Sequence, residues 1–188
     1  MQTLSKLLRL FYRIFDLLRN RIVLFKLKMK YPAIKIEGKT IIESNCKIIC
    51  EDGGELILVN SYISAGSEIR ATKTAKIIIR DSFIGRNCVF VAIESIEIQE
   101  GCEIAEMVVI RDQDHVHNLT SQKISKQGFK SSPIMIRNNV WLGCKVTVLK
   151  GVEIGPNSIV GAHTLVNHSA PESSILVGIP AKRINNNG

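Results

Sequence analysis

Residues 140 to 166 read VWLGCKVTVLKGVEIGPNSIVGAHTLV, with an aliphatic side chain at every sixth position: Leu142, Val148, Ile154, Val160 and Val166. An α-helix repeats on 3.6 residues and a strand on two, and neither needs a period of six. A short flat strand followed by a corner does need it. Three such units close one turn of a triangular coil. The aliphatic row then fills the interior, and the position four residues later takes less bulk.

The same rule traces back through the chain. Ile36, Ile42 and Ile48 form one triplet, with Thr40 and Cys46 as compact partners; Ile57, Ile63 and Ile69 follow, with Ser61 and Ser67. Ile78, Ile84 and Phe90 come next, then Ile98, Ile104 and Ile110, then Ile136 with Leu142 and Val148, then Ile154 with Val160 and Val166. The triplets start at 36, 57, 78, 98, 136 and 154, so one interval, 38, is about twice the rest. A segment between Ile110 and Ile136 is therefore expected to leave the coil. The pattern predicts an all-β solenoid over 31–184, of about six coils stacked at roughly 4.8 Å. A loop, 111–133, is extruded from it, and a polar tail, 185–188, follows.

The net charge of +8 would suggest nucleic acid if it covered the body. It does not. Residues 1–30 carry eight cations against Asp16, a net +7, which leaves +1 for the remaining 158 residues. No nucleic-acid partner is expected. Within 4–30, Lys6, Arg9, Arg13, Asp16 and Asn20 share one sector of a helical wheel, opposite Leu4, Leu7, Leu8, Phe11, Ile14, Phe15 and Leu18. This predicts a basic amphipathic helix in 1–30, with its amphipathic part running through about residue 20. The helix is expected to cap the first coil in part and to touch an anionic membrane surface peripherally. Charges interrupt its apolar run too often for a membrane span, and no small-residue cleavage site follows. The five cysteines form no CxxC pair and mostly fall in apolar periodic stretches, which predicts reduced thiols and a cytoplasmic protein.

These hexads, and the closing SSILVGIPAKRI, resemble the hexapeptide-repeat acyltransferases. The tail is similar to that family's G-N-P-A-K-x-I, with Ile179 in place of Asn. The resemblance covers about 34–184 and implies a left-handed parallel β-helix, an exception to the usual right-handed crossover. Chains of this size with a short N-terminal helix resemble bacterial polysaccharide and sugar O-acetyltransferases. That likeness implies a homotrimer, acetyl-CoA as acyl donor, no metal, and a glycan hydroxyl as acceptor. Transfer to a small acceptor (a free sugar, a nucleotide-linked amino sugar or an antibiotic) and a non-catalytic scaffold stay open.

The loop RDQDHVHNLTSQKISKQGFKSS holds two of the four histidines. Acyl transfer to an alcohol needs a base, and imidazole serves near neutral pH. His115 is the expected base and His117 its competitor. DQDH resembles the D-x-D-H turn of related sugar acetyltransferases, where Asp114 or Asp112 would hold the His115 Nδ1–H. Trp141, the one tryptophan, is expected on an outward face, where it would cap a trimer contact or, as the resemblance implies, wall the donor and acceptor cleft. Gly143, Gly161 and Ala162 are expected at corners that pantetheine approaches, and the resemblance of the closing PAKRI implies Lys182 and Arg183 at the CoA phosphates. His163 and His168 have an H-x4-H spacing like that of zinc enzymes on this coil, but they lack a third ligand, and no metal is expected.

Overall fold

The computed structural model describes residues 2–118 and 123–184, without the side chains of 2–4, 7, 10 and 13. The tail 185–188 and the wheel positions Leu4, Leu7 and Arg13 lie outside that description. Strands of two to five residues alternate with corners and stack into three parallel sheets. The first face begins with Ile34–Glu37, the second with Ile41–Ile42 and the third with Lys47–Cys50. Each strand pairs with its counterpart one coil later, as Ile42 does with Ile63 and Ile48 with Ile69. The chain is a left-handed parallel β-helix of about six coils.

One inward row from each face fills the prism. Ile42, Ile63, Ile84, Ile104, Leu142 and Val160 are all buried on the second face, and no other secondary structure is needed to cover them. Several corners turn on a residue with positive φ, and asparagine recurs there, at Asn45, Asn87, Asn139 and Asn157. Asparagine tolerates the left-handed region better than most side chains. Asn139 also donates its amide to Asn157 Oδ1 at 2.9 Å, tying one coil to the next.

Two triplets need correction. Ile57 and Ile78 point outward, and the inward residues are Leu58 and Ile79, both fully buried. In these coils the first corner is one residue shorter. Leu58 precedes Ile63 by five residues, whereas Ile36 precedes Ile42 by six. A one-residue slip exchanges the two faces of a strand.

The N-terminal helix spans Gln2–Lys30, ten residues beyond Asn20. It packs on the prism through Val23, Leu24 and Leu27, near buried Tyr31. Asn20 closes the open edge of the second face. Its amide donates to Thr40 O at 3.0 Å, and its Oδ1 accepts Ile42 N–H at 3.0 Å, as a further strand would. The expected cap by Leu8, Phe11, Ile14, Phe15 and Leu18 is not formed, since all five are exposed. The chain passes from Lys30 almost directly into Ile34, so the helix meets the coil through its second half, where Asp16, Leu17, Arg19 and Asn20 border Ile41, Glu43 and Tyr62. Among the described residues, no helix is long and apolar enough to cross a membrane. At the other end, Lys182–Ile184 folds back antiparallel on Ile175–Val177 and covers the last edge of the second face.

Candidate active site

The chain leaves the third face at Arg111 and rejoins the first at Ile134. Between them, Gln113–His115 and Phe129–Ser131 form an antiparallel hairpin that pairs Asp114 with Lys130 and His115 with Phe129. Asp112 roots it. Its carboxylate is fully buried and accepts the Ile93 N–H at 3.0 Å and the Glu94 N–H at 2.8 Å from the corner one coil below. Burial raises this carboxyl above its ordinary range, although the amides pull it the other way.

The expectation that Asp112 or Asp114 orients His115 is not met. Asp112 serves the backbone, and Asp114 pairs with Lys150, which stands in the same corner one coil above. The DQDH segment is largely strand rather than a turn, so Asp114 and His115 project to opposite faces of the hairpin. The His115 ring instead meets Phe129, with centroids 4.3 Å apart and planes tilted by 36°. The backbone orients His117, whose Nδ1 lies 3.2 Å from His115 O.

Both histidines line a cavity of about 240 Å³, together with Asp114, Val116, Asn118, Lys130 and Lys150. An imidazole on this wall has room for a hydroxyl-bearing molecule, and with Lys150 paired to Asp114, Lys130 supplies the positive charge where an anion or a developing oxyanion would sit. Phe129, Lys130 and Lys150 escaped sequence reasoning. Lys150 was within reach of it, since coil register stacks its corner above the loop's exit.

The remaining expected residues lie elsewhere on the prism. Trp141 points outward from the second face, 52% exposed, between Glu103 and Ile159. Gly143, Gly161 and Ala162 stack at the corner between the second and third faces. Gly143 answers to coil stacking as well, because a Cβ there would come within 2.7 Å of Ala162 N. Lys182 and Arg183 are exposed on the closing strand. The second face lies across the prism from the corner that extrudes the hairpin, so one chain does not bring these residues to His115. His163 and His168 sit at different corners, and among the described residues no three His, Cys, Asp or Glu side chains converge as a metal site. All five cysteines are free thiols, and burial pushes Cys88 up to about 11, which leaves it a packing residue.

A left-handed parallel β-helix of this kind is the fold of solved acyltransferases, the galactoside acetyltransferase with coenzyme A among them. Residues 133–168 match the family described as bacterial transferase hexapeptide (six repeats). The chain is 34% identical to WbbJ of Escherichia coli K12, named for lipopolysaccharide biosynthesis O-acetyl transfer, over 74% of this chain and 79% of that protein. It is 30% identical to the galactoside O-acetyltransferase of Escherichia coli K12, over 89% of this chain and 77% of that one. Rv3034c of Mycobacterium tuberculosis, named as an acetyltransferase, is 29% identical over 87% of the chain, which spans only 55% of that relative. The fold is also that of AntD, an N-acyltransferase from Bacillus cereus, solved as a variant with dTDP and coenzyme A. Its TM-score is 0.71 at 19% identity, over 85% of this chain and 86% of that one. The chain belongs to the hexapeptide-repeat acetyltransferases.

Proposed function

We propose that the protein is an acetyl-CoA-dependent O-acetyltransferase that acetylates a sugar hydroxyl of a bacterial surface polysaccharide or its precursor. The observation that carries this reading is the pair of histidines on an extruded hairpin, beside a cavity lined by two lysines. The names of WbbJ and the galactoside enzyme support the acceptor class. His115 removes the hydroxyl proton as the sugar oxygen attacks the thioester carbonyl. The C–O ester bond forms, the C–S bond breaks, and the imidazolium returns its proton to the departing thiolate.

Lys182 and Arg183 are suited to the CoA phosphates, and Trp141 with Gly161 and Ala162 to the pantetheine. These groups lie on one side of the prism and the hairpin on the other, so a complete site needs a neighbouring copy. A homotrimer supplies one at each of three interfaces. The same reading places the enzyme in the cytoplasm, in peripheral contact with the inner face of the cell membrane through residues 4–30.

The test is to incubate the protein with acetyl-CoA and galactosides or lipid-linked glycans, following thiol release and the mass of the acceptor. Gain of one acetyl group per sugar, by a species near three times 20.9 kDa, supports the reading. Thiol release with no acceptor product, or full activity in a stable monomer, overturns the acceptor or the shared site respectively.

A further inference from the structure

The helix Gln2–Lys30 has two apolar faces, and only one of them is used. Asn20, Val23, Leu24 and Leu27 meet the prism. On the opposite side Phe11, Phe15, Leu18, Ile22, Phe25 and Met29 recur at alternating spacings of four and three, each more than half exposed. At 100° per residue they form one continuous seam, flanked by Arg19 and Lys26 on one side and by Arg21 and Lys28 on the other.

Spacings of three and four also suit a helix pair, so a second copy is the rival occupant. The charges decide against it. In such a pair the flanking positions of the two helices face each other, and here all four are cationic, with no acid at any flanking position. Asp16, the helix's one acid, lies away from the seam and pairs with Arg19 at 3.5 Å. An anionic bilayer turns the charges of Arg21, Lys26 and Lys28 into attraction, and their long stems can follow the apolar boundary up to the headgroups.

We propose that this seam lies in the headgroup boundary of an anionic phospholipid membrane, with the prism standing on the far side of the helix. The inference rests on the membrane contact proposed above and adds its face and orientation. The docking residues are opposite the seam, so the prism axis leads away from the lipid. The hairpin leans back toward it, since Lys73, in the corner after the second coil, holds Nζ 5.8 Å from the Phe129 ring centroid. His115 therefore stands within about three coil spacings, ~15 Å, of the first coil. That height suits a sugar carried above the surface on a lipid anchor better than the headgroup itself.

The experiment is co-sedimentation of the full chain with phosphatidylglycerol-containing vesicles and with pure phosphatidylcholine vesicles. Binding to the first and not the second, falling about tenfold in raised salt, is expected. Phe15→Ser with Ile22→Ser, and separately Arg21→Glu with Lys28→Glu, should each lower binding by about tenfold or more. Both should keep the wild-type melting curve and thiol release with a soluble galactoside. Absence of binding to anionic vesicles overturns the inference, as does a larger oligomer that the Phe15→Ser, Ile22→Ser chain loses, which would mean a second copy covers the seam. Vesicle binding without acetyl transfer would uphold this inference and sink the proposed activity; transfer to a soluble sugar without vesicle binding would do the reverse.

Discussion

The imidazole Nδ1 of His117 lies 3.2 Å from the carbonyl oxygen of His115. A carbonyl only accepts, so this is a hydrogen bond when Nδ1 carries the proton, and a neutral ring then presents Nε2 as an acceptor. The hairpin thus uses the backbone of one histidine to set the tautomer of the other. His115 is instead held by stacking against Phe129, with ring centroids 4.3 Å apart.

His115→Ala is expected to lower kcat/KM for acetyl transfer by about 10²–10⁴-fold, with acetyl-CoA affinity within a few-fold, because a general base acts in the transition state. His117→Ala should cost less. Steady-state kinetics with titration calorimetry of acetyl-CoA checks both. An exchange of the two results would make His117 the base, and two mild results would remove the hairpin from the chemistry.

Asp114 and Lys150 pin the hairpin to the coil above it. Asp114→Asn and Lys150→Met should each shift stability by only about 0.2–1 kcal/mol, as for other partly exposed ion pairs, yet lower kcat by displacing the histidines. The double variant should be no worse than either single one. Independent, multiplying losses of kcat would mean the two residues act separately.

The corrected register predicts opposite outcomes at adjacent residues. Leu58→Ala should destabilise by about 2–5 kcal/mol through transfer and cavity costs, and Ile57→Ala by about 1 kcal/mol or less. Denaturant melts of the two proteins decide it. Reversed magnitudes would restore Ile57 to the interior.

Glu43 and Tyr62 make a pH-sensitive clasp on the outside of the second face. The Tyr62 hydroxyl donates to Glu43 Oε1 at 2.6 Å and the Ala65 N–H to Oε2 at 2.8 Å, which hold the Glu43 carboxyl below its ordinary range. The same bond pushes Tyr62 up to about 12. A lowered acid gives stability that is present above its unfolded value and lost as pH falls through the folded one; a raised phenol gives stability present below its unfolded value near 10 and lost as pH rises through about 12. Tyr62→Phe should therefore lose stability at neutral pH and converge on the wild type at both extremes. A constant difference in melting temperature from acid to alkali would show that the bond contributes nothing.

The sequence alone was enough to define the coil, because a hexad rule is local. Each strand must put an aliphatic side chain inward, and the next corner must turn within a few residues, so Ile42, Ile104, Leu142 and Val160 announce their burial without knowledge of their neighbours. The doubled interval before Ile136 likewise announced an extruded segment, and its histidines marked it for chemistry. Where the corner shortened by one residue, at Leu58 and Ile79, the local rule slipped, since period alone cannot tell a five-residue step from six. What only the tertiary structure decided were relations between distant parts: Asp112 committed to the Ile93 and Glu94 amides, Asp114 to Lys150, His115 to Phe129, and the helix turned so that Val23 and Leu27 meet the prism while Phe15 and Ile22 do not. Each depends on which coil stands above which and which way a strand faces, and those are set by stacking between residues far apart in the chain.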